Sequence, residues 1–118
     1  MRWTSDELFQ MLGRYEQECI AAGMRPNAVH SYWDYARRFL DWRTGEYRPR
    51  GATGPKRTAP VSAVSVSDLT EDAKAYARDV EAAGRNQQTI DTYYRHAMFF
   101  VRWLGGDFKP GARLTGAR

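Results

Sequence analysis

Two short stretches of the chain carry polar and basic side chains spaced closely enough to act together. One holds Arg25, Asn27, His30 and Ser31; the other holds Arg85, Asn86, Gln87, Gln88 and Thr92. Arginine, asparagine and glutamine are the side chains that pair bidentately with base edges in a major groove. Both stretches fall where a helix is expected to begin, and a helix amino terminus offers backbone donors and partial positive charge suited to phosphate. Arg37, Arg38 and Arg43 follow the first stretch, Arg95 and Arg102 follow the second, and Arg48, Arg50, Lys56 and Arg57 lie between. All of these are able to neutralise backbone phosphates. If about five phosphates are contacted, log affinity falls with log salt at a slope of about −4 to −5.

Other chemistries find less to work with. His30 and His96 lie in no metal-ligand spacing such as H-E-x-x-H, and no Gly-rich phosphate loop follows a strand. Ser31, His30 and Asp34 share one helix at spacings that point them apart, so they make no nucleophile and base. Cys19 is the single cysteine, which excludes an intramolecular disulfide and a cysteine-based zinc cluster. Its register suggests a buried small hydrophobe. Neither a catalytic site, a metal nor a cofactor is expected. No apolar run approaches the ~20 residues that span a bilayer, and residues 1 to 20 lack the pattern of a secretory leader, which points to a cytoplasmic protein without a membrane partner.

The elements that hold these side chains are written twice. Aligning residue n with n+61 requires no gap across residues 12 to 49 and gives ten identities in 38 positions, among them Tyr15/Tyr76, Gly23/Gly84, Phe39/Phe100, Trp42/Trp103 and Pro49/Pro110. Each copy reads as two helices. Leu8, Leu12, Tyr15, Cys19 and Ala22 recur at steps of four and three, as do Leu69, Ala73, Tyr76, Val80 and Ala83. Gly23 and Gly84 follow as helix terminators, and Pro26 opens the next helix. That helix runs to about Arg43 on Val29, Tyr32, Trp33, Ala36, Phe39 and Leu40. Its counterpart uses Ile90, Tyr93, Tyr94, Ala97, Phe100, Val101 and Leu104. Met98-Phe99 stand where the first copy has Arg37-Arg38, so the later helix is expected to be the more buried and near the centre. Most aromatics, Trp33 included, lie on inward stripes; Trp3, Tyr35 and Tyr47 are the surface candidates. Trp42 and Trp103 are expected to pack on the loops after them. No strand is expected. A lone hairpin cannot bury its apolar stripe, so hairpins 5–43 and 67–104 should form one four-helix, all-α domain.

Charge alternates along the chain. Residues 1–23 carry −2, 24–57 carry +5, 58–84 carry −3 and 85–118 carry +4. If the second and fourth blocks meet, the fold has a basic face. Residues 44–66 hold three glycines, three prolines and four basic residues against one acid, the composition of a mobile loop, and 109–118 form a tail.

The arrangement "Y-x3-C-I-A-A-G-M-R-P-N-A-V-x2-Y-x6-F-L-x-W", a variable loop, and then "D-L-T-E-D-A-K-A-Y-x7-G-R-N-Q-Q-T-I-x2-Y-x6-F-V-x-W-L" resembles the amino-terminal core-binding domain of tyrosine recombinases and phage integrases, the SAM-like domain. The resemblance covers residues 5 to 108. It implies a four-helix bundle of two crossed hairpins that clamps duplex DNA, the second and fourth helices entering the major groove near their amino termini. By position the family's contacts fall on Asn27, Ala28, His30 and Ser31, and on Gln88 and Thr92; Ala28 departs from the pattern, having no polar atom. The family's catalytic domain would follow the point where "KPGARLTGAR" ends the chain. The resemblance therefore implies either the DNA-binding part of an integrase or a free-standing relative, in both cases non-catalytic, nucleoid-associated and without a nucleophile among its seven tyrosines. A recombinase catalytic domain or other protomers on DNA are further partners it implies. The rival reading is a helical protein-interaction or dimerisation module, which exposed Met98 and Phe99 would favour.

Overall fold

The computed structural model describes residues 1–51 and 57–111. Lys56 and the centre of the connecting stretch, expected to be a mobile basic loop, lie outside the described residues, as does the tail beyond Gly111. The chain is mostly helical. Strand β1 (Arg2–Trp3) precedes α1 (Ser5–Ala21) and α2 (Pro26–Thr44); β2 (Val64–Ser65) then leads into α3 (Val66–Ala82) and α4 (Gln87–Leu104).

The first helix of each hairpin begins the same way. Thr4 accepts from the Glu7 backbone N–H at 3.2 Å while Glu7 accepts from the Thr4 N–H at 2.8 Å. Sixty-one residues on, Ser65 and Asp68 form the same capping box at 3.2 and 2.9 Å. All four helices end on a glycine in the left-handed region, Gly23, Gly45, Gly84 and Gly106, at φ between 79° and 85°. After α1 the next residue closes the motif, the Met24 N–H reaching the Cys19 carbonyl at 3.3 Å and its side chain packing with Cys19 and Val29.

The inward stripes build one principal core from all four helices and both strands. Leu8, Tyr15, Ala36, Phe39, Leu69, Ala73, Tyr76, Val80, Ala97, Phe100 and Val101 have no exposed surface. Cys19 is buried as expected, and burial pushes its thiol up to about 11.

Contacts between the hairpins occur in matched pairs offset by 61. Trp42 of α2 donates its indole N–H to Asp79 of α3 at 2.8 Å; Trp103 of α4 donates to Glu18 of α1 at 2.9 Å. Tyr76 packs on Phe39 and Trp42 at 5.5 and 5.2 Å, and Tyr15 packs on Phe100 and Trp103 at 5.2 and 5.1 Å. An approximate two-fold axis therefore relates the hairpins. It passes between Trp3 and Val64, which pair in the ribbon, and between Tyr35 and His96, whose rings stack at 4.6 Å.

Four expectations are corrected by this arrangement. A strand pair exists, although at two residues per strand it is too short to show alternation. Trp3 is buried at 5% exposure because the ribbon lays it against the core. Trp42 and Trp103 dock on the first helix of the opposite hairpin rather than only on the segments that follow them. Lastly, α4 is no more buried than α2: each packs on the other three helices, and Arg38 takes part in that packing by bonding across to Tyr93 of α4 at 2.8 Å.

The paired tryptophan bonds differ in burial, which gives a first expected result. Asp79→Ala leaves the N–H of Trp42, 2% exposed, without an acceptor and should cost about 1–3 kcal/mol. Glu18→Ala should cost well under half as much in the same thermal denaturation series, because Trp103 is half-buried and water can replace the carboxylate.

Candidate nucleic-acid interface

The four helix starts divide into two kinds. Those of α1 and α3 carry their own carboxylates, Asp6 and Glu7 in one and Asp68 in the other. The first turns of α2 and α4 carry no acid. At α2 the N-cap is Arg25, which makes no capping bond, and Pro26 follows it. At α4 the Asn86 side chain caps the Thr89 N–H at 2.8 Å. The partial positive charge of these two ends thus meets no acid in the first turn, the nearest on α4 being Asp91 in the second.

Arg25, Asn27 and His30 are exposed at the start of α2, and Ser31 is half-buried. Asn27 lies one residue past Pro26, inside the helix, so it is not a cap. Arg85, Gln87 and Gln88 are exposed at the start of α4. Gln87 donates to Asp91 at 2.7 Å, and the half-buried Thr92 hydroxyl donates to the Gln88 carbonyl at 2.8 Å. The Gln88 side-chain amide has no partner among the described residues, while that of Gln87 is held by Asp91.

Helices α2 and α4 run antiparallel where they meet. Tyr32 stacks on Phe99 at 5.6 Å, Tyr35 on His96 at 4.6 Å, and Arg38 donates to the Tyr93 hydroxyl at 2.8 Å, so the α4 partner number falls as the α2 number rises. A two-fold axis preserves direction along itself. The outward stripe of α2, with Asn27, Ser31 and Asp34, therefore faces the same side as the stripe of α4, with Gln88, Thr92 and Arg95. This relation brings Asn27 and Ser31 to one face with Gln88 and Thr92.

The arginines divide by what they already hold. Arg25, Arg85 and Arg95 are exposed and have no carboxylate partner among the described residues. Arg37 pairs with Asp41 at 3.5 Å and lies over the Trp33 ring at 5.3 Å. Arg38 pairs with Asp34 at 2.8 Å while bonded to Tyr93, and Arg102 pairs with Asp107 at 3.2 Å. Arg43, a phosphate candidate by type and spacing, is 2% exposed and bonds Asp72 of α3 at 2.8 Å, so it belongs to the interior. Arg57 holds the other oxygen of Asp72 at 2.7 Å and lies 4.4 Å over Trp42, which ties the connecting stretch to the bundle. Trp33 is half-buried and packs against the core as its register suggests, with His30 at 6.1 Å and Arg37 at 5.3 Å on its outer side.

Tyr35, a surface candidate by sequence, is half-buried on the axis, stacked on His96, for which the sequence suggested no role. Tyr35 and His96 occupy matched positions, 61 apart, and that offset was the available signal. Burial pushes His96 down to about 4, with Arg95 adding to the effect, and its Nδ1 is buried without a hydrogen-bond partner. The folded protein thus binds this proton less readily than the unfolded chain, whose histidine titrates near 6.5. Stability contributed by neutral His96 is whole above about pH 6.5 and is lost as pH falls towards 4. His96→Asn should flatten that limb of a stability-against-pH curve measured by urea denaturation.

Among the described residues no group of three or more His, Cys, Asp or Glu is arranged to hold a metal ion, and no helix is long and apolar enough to cross a membrane. Compared with known proteins, the chain matches no protein-family model, no curated protein and no solved structure.

Proposed function

We propose that this chain is a duplex-DNA-binding domain of the tyrosine-recombinase core-binding type, with its SAM-like bundle of crossed hairpins, reading a site without acting chemically on it and working at the nucleoid. One observation supports the reading: the two helix starts whose first turns carry no acid share a face, and Arg25, Arg85 and Arg95, exposed and without a carboxylate partner among the described residues, lie at or beyond those starts with exposed Asn27 and Gln88. Helix termini and arginines supply affinity for phosphate, and the amide side chains supply what base preference exists. Exposed Met98 and Phe99 would favour the interaction-module reading; Met98 is half-buried against the core, and Phe99 is 8% exposed and stacks on Phe108 at 4.7 Å, which favours the DNA-binding reading over it.

The test is a pair of variants assayed against a panel of duplex sequences. Gln88→Ala should relax discrimination at one base pair by about 1 kcal/mol or more, leaving other positions unchanged. Arg95→Ala should weaken every duplex by a similar factor. Uniform loss from both variants, or no loss from either, contradicts the assignment of reading and anchoring roles.

A further inference from the structure

The approximate two-fold axis has a consequence for the partner. It relates the hairpins through matched bonds, matched aromatic pairs and the ribbon register. It also relates the outward faces of α2 and α4, which run antiparallel through the Tyr35 and His96 contact. The duplex backbone has two-fold axes of its own, perpendicular to its length, and proteins with a dyad bind DNA with the two axes coincident. We infer that this single chain presents two reading helices to two half-sites in inverted orientation, in the way a dimer does, with its internal axis on an axis of the duplex. The inference rests on the DNA-binding reading and specifies the symmetry and length of the target.

Length follows from the helices. Asn27 lies eight residues before Tyr35 and Gln88 eight before His96. At 1.5 Å per residue and opposite directions from the axis, the two are about 24 Å apart along the helix pair. At 3.4 Å per base step this spans about 7 base pairs, less than one turn of duplex. The half-sites therefore abut, each about three base pairs long, within one groove face.

The half-sites are also unequal. Matched outward positions hold Arg25 and Asn86, Asn27 and Gln88, His30 and Asp91, and Ser31 and Thr92. The matched aromatic pairs and tryptophan bonds of the interior keep the two-fold relation while these do not. A base pair at a given distance from the centre is thus met by asparagine on one side and glutamine on the other.

Site selection from a pool of random duplexes tests this in the full chain. For the native protein, Asn27→Ala and Gln88→Ala should each relax preference about ten-fold at one position, and the two positions should lie at equal distances on opposite sides of a common centre. A symmetrised variant, with Arg25→Asn, Asn27→Gln, His30→Asp and Ser31→Thr, gives α2 the outward residues of α4 and should select a palindrome. The converse graft, Asn86→Arg, Gln88→Asn, Asp91→His and Thr92→Ser, should select a different palindrome and serves where the first variant fails to fold. Duplex binding that persists while both alanine variants relax the same side, or while the grafts leave the selected site unsymmetric, overturns the inference and leaves the DNA-binding reading intact. No duplex binding by the native chain overturns both.

Discussion

Arg43→Ala is expected to lower stability by about 3 kcal/mol, read as a shift in urea midpoint at unchanged slope, because it removes one partner of a buried ion pair. The Arg43 side chain is 2% exposed and bonds a carboxylate that is itself 16% exposed. Arg57 remains on the other oxygen of Asp72, which keeps the loss at the lower end of what breaking such a pair costs. The repeat supplies the control. The positions matched to Asp72 and Arg43 are Met11 and Leu104, both packed half-buried against the core. Arg43→Leu combined with Asp72→Met copies that apolar solution and should return stability to within about 1 kcal/mol of the native chain, or above it. If the double variant stays as unstable as Arg43→Ala, the ion pair does something that apolar packing cannot replace.

The contrast between these matched positions explains which parts of the molecule could be read from the sequence. The stripes ending in Phe39 and Phe100 were legible because apolar spacing at steps of three and four survives in both copies. Helix ends were legible from Gly23 and Gly84, where the terminating conformation favours a residue without Cβ. The capping boxes at Thr4 and Ser65 were written in the sequence as a hydroxyl followed three residues later by an acid. Arg43 was not legible: an arginine suits phosphate and a buried carboxylate equally, and its partner lies 29 residues away on the other hairpin. The tryptophan bonds were hidden for a related reason. A repeat shows that Trp42 and Trp103 are equivalent, but not that each reaches the opposite hairpin. At the face itself the candidate residues were legible by type, whereas their division into paired and partnerless arginines depends on rotamers and on Asp34, Asp41 and Asp107.

That division sets the second large expected effect. Replacing Arg25, Arg85 and Arg95 together with glutamine should weaken duplex binding by about two decades at 0.15 M salt, since each phosphate contact contributes about 0.9 of a counterion to the salt dependence. All three are exposed and none has a carboxylate partner among the described residues, so the triple variant should keep its thermal midpoint within about 2 °C of the native chain. The same substitution at Arg37, Arg38 and Arg102 should do less to affinity, because each already neutralises a carboxylate and its removal leaves that charge facing the phosphates. It should do more to the fold at Arg38, which holds Asp34 and Tyr93 together at 2.8 Å each.

The most direct measurement is the affinity of the native chain for a short duplex across a series of salt concentrations, repeated with the triple variant at Arg25, Arg85 and Arg95. Three exposed cations without a carboxylate partner among the described residues call for a slope of log affinity against log salt of about −3, shallower than the five-contact figure that residue types alone suggest, and for a slope near zero once they are removed. A native slope near zero, or an equal slope in the triple variant, would contradict the assignment of this face to duplex DNA.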